Sequence, residues 1–316
     1  MKLKKPSKYI YTYIHHPDEY ELRRMEMRSF FGFDTEENFI ISERCIDPSR
    51  SPFMEDRLEV WYEADRMEEL QQLVKELKIE DATYKVVCLN RMDLGKTKKI
   101  PHPERRKIEK QIGLSINGEP NLNQPDLVFG LLHINDRWYF GKSSKAESIW
   151  RKHLHKPSSY STALSTRVAR AIVNIAIPEP EGIRAIDPCC GIGTVLIEAL
   201  SMNINIVGRD ISPLVCVGAR KNIAHFGYET TVTKGSITDV TDHYDVAIVD
   251  LPYNIYSHLS LEEEYNIILH ARRIADRVLF VAIKPIEHLV QKAGFVIKDR
   301  SVAKKSNFIR HILLCE

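Results

Sequence analysis

The sequence has no long hydrophobic run. Nothing in its 316 residues approaches the roughly 18 consecutive apolar residues of a membrane-spanning helix. The basic start, MKLKKPSKYIYTYIHH, is followed by no continuous apolar stretch, which argues against a secretory signal. Paired cysteines are lacking too. Cys45, Cys88, Cys189, Cys190, Cys216 and Cys315 form no C-x-x-C pair and no framework spacing. That pattern points to reduced thiols and a cytoplasmic protein rather than a disulfide scaffold. Charge of one sign is scarce as well: 45 Lys and Arg stand against 43 Asp and Glu, a net of +2. A nucleic-acid binder with this balance has to concentrate its positive charge locally.

The chain does concentrate it. RMDLGKTKKIPHPERRKIEK, residues 91–110, holds Lys98, Lys99, Arg105 and Arg106 among its cations. RKHLHK, residues 151–156, holds Arg151 and Lys152, and a third cluster runs from Lys298 through Lys304 and Lys305 to Arg310. Together they favour a phosphate-binding surface. The rest is ordinary for a soluble globular protein, with 43% hydrophobic and 28% charged residues. The length suits two or three domains.

From Tyr9 to Asn90 the pattern reads strand, helix, strand, strand, helix, strand, the order of a ferredoxin-like α+β domain over residues 1–90. RMEELQQLVKELKI is strongly amphipathic, with Leu70, Leu73, Val74 and Leu77 on one face. LVFGLLHI and RWYFGK, split by NDR, read as a hairpin within residues 91–145, and residues 146–160 read as a linker. STALSTRVARAIVNIAI (161–177) reads as a helix. From residue 183 apolar strands alternate with helices, which implies a parallel sheet covered on both faces. FVIKDRSVAKK and FIRHILLCE, with only SN between them, suggest an antiparallel hairpin at its edge.

The first strand of that region ends in DPCCGIGTVLIEA. A parallel α/β sheet binds ligands at the carboxyl ends of its strands, and glycines there let the backbone come close. The turn does not complete the dinucleotide fingerprint G-x-G-x-x-G, because the sixth position is Leu196. Asp187 inside the turn would repel a pyrophosphate. It favours a cationic ligand, such as one bearing an amino group and a sulfonium. Asp210, closing the second strand, can accept hydrogen bonds from ribose hydroxyls. Ser236 and Ile237, after the third, sit where an adenine ring could be held.

This ordered set resembles the S-adenosylmethionine-dependent Rossmann-like methyltransferases. Asp187, Gly191 and Gly193 match their D-x-x-x-G-x-G turn. The resemblance implies that Cys189 and Thr194 lie beside the methionine moiety and that Ile211, after Asp210, also touches the cofactor. The acidic residue usual in the third motif is Ser236 here; the backbone around Ile237, or Asp239, would take its place. Asp250-Leu251-Pro252-Tyr253, within AIVDLPYN, resembles the [DN]-[PL]-P-[YF] motif of amino-methyltransferases acting on planar nitrogens. An exocyclic base amine is a poor nucleophile because its lone pair is delocalised into the ring. Asp250 and a backbone carbonyl of the turn can accept its hydrogens, and Tyr253 offers a stacking surface. Pro252 fixes the turn.

KPSSYSTALSTRVARAIVNIA resembles the lead-in helix of the THUMP-associated RNA methyltransferases, which include tRNA guanine-N2 enzymes acting at position 10. That likeness implies cofactor contacts for Tyr160 and Thr162. GEPNLNQPDLVFGLLHINDRWYFGK resembles the end of a THUMP domain. The expectation is therefore a Rossmann-like domain over residues 161–316 behind a ferredoxin-like and THUMP-like module. It would use S-adenosylmethionine and no metal, act on guanine N2 of tRNA, and need no obligate protein partner. Leu251 and Asn254 depart from the guanine-10 pattern. The catalytic motif alone also serves adenine N6 and glutamine side chains, and an inactive RNA-binding protein is the reading from another class.

Overall fold

A computed structural model of the chain describes residues 5–159, 163–252, 260–305 and 308–316. The first half runs β1 (Lys8–Tyr13), α1 (Tyr20–Phe31), β2 (Phe39–Ser42), β3 (Met54–Ala64), α2 (Met67–Lys75), β4 (Lys78–Cys88), α3 (His102–Gly113), β5 (Asn117–Pro120), β6 (Leu127–Ile134) and β7 (Arg137–Lys145). Then come α4 (Thr166–Ala176), β8 (Arg184–Asp187), α5 (Thr194–Leu200), β9 (Asn205–Asp210), α6 (Pro213–His225), β10 (Val232–Lys234) and β11 (Tyr244–Asp250). The chain ends with α7 (Leu261–Ile274), β12 (Ala275–Ala282), α8 (Glu287–Lys292), β13 (Ile297–Lys305) and β14 (Phe308–Cys315). Contacts divide it into two units. The N-terminal unit holds the residues up to Ile14, Thr35–Ser49 and Phe53–Glu147; the C-terminal unit holds His15–Asp34, Arg50–Pro52 and Ser148–Glu316.

The N-terminal unit is one seven-stranded sheet of order β2-β1-β3-β7-β6-β4-β5. Alternation along its strands separates two apolar faces. On one, Leu70, Val74 and Ile112 from α2 and α3 pack with Trp61, Phe129, Leu131 and Phe140. On the other, Ile10, Leu58, Val60, Leu132 and Tyr139 pack together. Asn135 and Asp136 take the positive φ values that close the tight β6–β7 hairpin.

Two expectations fail here. The ferredoxin-like order needs the helix after the first strand to lie on its own sheet. Instead α1 packs in the C-terminal unit against α4 and β13. Arg28 of α1 holds Asp299 of β13 through two hydrogen bonds of 2.8 and 2.9 Å. The expected break between residues 90 and 91 is also absent, because β7 pairs with β3 and β6 with β4 in one sheet.

The C-terminal unit contains a second seven-stranded sheet, of order β10-β9-β8-β11-β12-β14-β13. Strands β8 to β12 run parallel, while β14 pairs antiparallel with both β12 and β13, which is the edge hairpin read from the sequence. Its Val- and Ile-rich strands are buried between helices, with Ala247, Val249, Val278 and Phe280 fully inside. Strand order reverses between β8 and β11, the switch point at which open α/β sheets take ligands.

Residues 146–160 do not behave as a linker where they are described. They carry a short 3-10 turn, Ile149–Leu154, whose Trp150 and His153 are buried. His153 Nδ1 lies 2.7 Å from Glu198 Oε1, and Arg170 Nη1 donates to Glu198 Oε2 at 2.9 Å. A polar composition was misleading because a buried carboxylate draws these polar groups inward. Helix α4 begins at Thr166, later than expected, where Ser165 Oγ accepts the Val168 N–H as its cap.

Candidate active site

The glycine turn is shaped by its own backbone. Gly191 and Gly193 adopt φ values of +54° and +81°, a region that L side chains avoid. The turn closes with a hydrogen bond from Gly193 N to the Cys190 carbonyl at 2.8 Å. Asp210, at the end of β9, fastens it from outside: Oδ2 accepts the Gly191 N–H at 3.0 Å and Oδ1 the Ser212 N–H at 2.9 Å. Each carboxylate oxygen keeps further acceptor capacity in a fixed direction, as a ribose diol requires.

Asp187 ends β8, nearly fully buried. Burial holds its carboxyl well above the usual range, the Cys189 N–H draws it down, and repulsion from Asp250 and Asp210 pushes it up again. Asp250 ends β11, and burial pushes its carboxyl up to about 7 against the pull of the Arg310 guanidinium. Asp250 Oδ1 is buried and accepts no hydrogen bond among the described residues. A buried acceptor left this way costs free energy until something donates to it. A cleft among β8, β11 and the glycine turn brings Asp187, Cys189, Gly191, Thr194 and Asp250 together with Ala163 and Leu164. Its acids repel one another, so a cationic ligand relieves the repulsion. Burial raises the Cys189 thiol well above its ordinary range, so it lines the cleft as a protonated thiol and not as a nucleophile.

The remaining candidates fall around this cleft unevenly. Leu251 is buried, its N–H bonded to the Val281 carbonyl at 2.9 Å, and Pro252 is exposed. Ile211 is 73% exposed directly after Asp210. Ser236 caps a short turn in which its Oγ accepts the Thr238 N–H and Asp239 accepts the Ser236 N–H. Asp239 is thereby committed to the cap and to Arg209 at 3.4 Å. The Ile237 side chain belongs to the apolar core, so only its backbone is free for a ring. Tyr160, Thr162, Tyr253 and Asn254 lie outside the described residues.

Of the basic candidates, Lys98 and Lys99 are exposed in the N-terminal unit, Lys98 with Asp93 3.8 Å away. Arg106 is exposed and 3.2 Å from Glu109; Arg105 is half-buried. Exposed pairs of this kind contribute about 0–1 kcal/mol, so these side chains remain available to phosphates. Arg151 and Lys152 are exposed in the C-terminal unit, Arg151 lying over the Trp150 ring.

Sequence reasoning missed Ala163 and Leu164, and it missed Lys156 and Asn222. Lys156 was counted with the surface cluster, yet its Nζ donates to Thr194 Oγ1 at 3.0 Å. The only hint of Asn222 was a polar side chain on the inward face of α6, where it is fully buried.

A parallel sheet with acids at its switch point and a glycine turn fastened by Asp210 defines a Rossmann-like domain whose acids suit a cationic ligand. The residues present fit S-adenosylmethionine, whose sulfonium and ammonium answer the acids. Comparison with known proteins names the class: residues 154–271 match the family UPF0020, described as RMKL-like, methyltransferase domain. That match falls within the C-terminal unit and is to a methyltransferase domain.

The tRNA (guanine(10)-N2)-dimethyltransferase of Methanothermobacter thermautotrophicus is 28% identical over 165 residues, 48% of each chain. The enzyme of that name from Pyrococcus abyssi is 29% identical over 177 residues, 51% of this chain and 52% of its own. The tRNA (guanine(6)-N2)-methyltransferase of Archaeoglobus fulgidus is 25% identical over 231 residues, 61% of this chain and 59% of its own. The chain thus spans about half the length of the guanine-10 relatives. Among the described residues no helix is long and apolar enough to cross a membrane.

Proposed function

We propose that this protein methylates the exocyclic N2 amine of a guanine in tRNA, at position 10, using S-adenosylmethionine. The observation that carries the reading is the buried Oδ1 of Asp250, without a hydrogen-bond partner among the described residues, at the switch-point end of β11 and in the same cleft as Asp187 and Thr194. Relatives named for guanine N2 at positions 10 and 6 support the base and the RNA class.

Bound S-adenosylmethionine supplies an electrophilic methyl group. The chain's own residues do the rest. Asp210 takes the ribose, and Asp187 faces the amino-acid end. Asp250 accepts an N–H of the incoming amine, which concentrates the nitrogen lone pair and holds it in line. When the new N–C bond forms the nitrogen gains positive charge, and the proton it sheds has the Asp250 carboxylate within reach. Leu251 and Pro252 set the turn, with Tyr253 as the stacking surface for the flipped base.

The N-terminal unit serves as the RNA-binding, THUMP-like module. Lys98, Lys99, Arg105 and Arg106 bind the tRNA backbone there, and Arg151 and Lys152 do so in the C-terminal unit. A tRNA substrate and unpaired cysteines support a cytoplasmic location. The test is to incubate the protein with unmodified tRNA and S-adenosylmethionine and to analyse the nucleosides by mass spectrometry. N2-methylguanosine or its dimethyl form supports the reading. Methylation confined to adenine, or none, would sink it.

A further inference from the structure

Building on that cofactor reading, we infer that Lys156 is the cation that binds the carboxylate of S-adenosylmethionine, carried into the cleft on a strap, residues 156–159, that is latched to the glycine turn. Two observations support the latch. Asn222, fully buried on α6, accepts the Ser158 N–H at 2.8 Å and donates to the Ser158 and Ile192 carbonyls at 2.9 and 3.0 Å. It therefore ties the strap to the turn by backbone groups on both sides, whatever their side chains. Upstream, Lys156 Nζ donates to Thr194 Oγ1 at 3.0 Å, and Thr194 lines the cleft. Beyond the strap, Ala163 and Leu164 line the same cleft.

Charge says what the lysine is for. The amino-acid end of the cofactor carries an ammonium and a carboxylate. The cleft offers acids to the first, but Asp187, Asp210 and Asp250 repel the second. Lys156, bonded to Thr194 of the cleft wall, supplies the opposite charge beside it. Among the described residues no carboxylate forms an ion pair with Lys156. Glu198, whose charge acts on it, already takes His153 at 2.7 Å and Arg170 at 2.9 Å. Burial lowers the Lys156 pKa, which an incoming carboxylate would reverse.

The test compares S-adenosylmethionine with its decarboxylated form, which keeps the sulfonium and the amine and lacks only the carboxylate. Calorimetry on the full chain should show the wild type binding the decarboxylated form about 10- to 100-fold more weakly, the range of one charge-assisted hydrogen bond. Lys156→Met and Lys156→Gln should weaken S-adenosylmethionine by about the same factor while leaving the decarboxylated form within about twofold, and Lys156→Arg should restore most of the difference. Both ligands weakening equally would make Lys156 a purely structural strut and overturn the inference. So would wild-type discrimination persisting in the Met and Gln variants, or no discrimination by the wild type, a result that does not depend on any variant folding. If the wild type binds neither ligand, the cofactor reading itself fails; if only the discrimination fails, that reading stands.

Discussion

Asp250→Asn should make the protein more stable in alkali and far less active. Burial pushes the Asp250 carboxyl up to about 7, whereas an aspartate in an unfolded chain titrates near 4. Between those values the folded protein holds a proton that the unfolded chain releases. The stability from this group is therefore fully present below about pH 4 and is lost as pH rises through about 7. The full shift of about three units would amount to about 4 kcal/mol. The side chain is only partly shielded from solvent, so about 1–3 kcal/mol is the better expectation. Asparagine keeps the shape and carries no charge to desolvate. At pH 8 it should raise the melting temperature by about 3–10 °C, and at about pH 3.5, where the group is largely neutral in the folded and the unfolded chain alike, the gain should shrink to near zero. Thermal melts of both proteins at the two pH values read this directly. An equal gain at both, or a loss at pH 8, would mean that Asp250 is not a strained, buried carboxylate. Methyl transfer by the same variant should fall about 100-fold, the cost of losing a preorganised charge-stabilising group.

Other perturbations probe separate parts of the account. Asp210→Ala removes both a ribose acceptor and the anchor of Gly191, and calorimetry should show about 10- to 100-fold weaker cofactor binding. Glu198→Ala strips the buried partner from His153 and Arg170; a cost of about 3–5 kcal/mol should lower the melting temperature by about 10 °C or more. Replacing exposed Lys98, Lys99 and Arg106 with Glu should weaken tRNA binding and flatten its salt dependence by about one unit of slope per lost phosphate contact, with cofactor affinity untouched. Filter binding across a salt series would show an unchanged slope if the RNA lies elsewhere.

The catalytic sheet was legible because its signals are local. The central strands β8, β9, β11 and β12 carry short apolar runs, α5, α6 and α7 begin at Gly–Thr, Ser–Pro and Ser signals, and the acids sit at strand ends by chain position alone. Helix α1 was legible as a helix but not as a member of the C-terminal unit. Its partners Asp299 and Asn174 stand 271 and 148 residues away, and nothing in a local period announces such a pairing. The stretch from Ile149 to Leu154 was misjudged for a similar reason: His and Lys suggest solvent until the buried carboxylate of Glu198 is known. Lys156 and Asn222 were hidden in the same way. A lysine in a basic run and an asparagine in a helix acquire meaning only when the glycine turn lies beside them.

The most direct measurement of the central claim uses two tRNA transcripts that differ at the mapped target by one functional group, guanosine in one and inosine in the other. Inosine keeps the ring and lacks only the exocyclic 2-amino group. With labelled S-adenosylmethionine, the guanosine transcript should gain methyl at that position and the inosine transcript should gain none there, while both bind the protein with similar affinity. Equal methylation of the two transcripts would contradict the account, because the methyl would then be going to an atom other than the amine proposed to donate to Asp250.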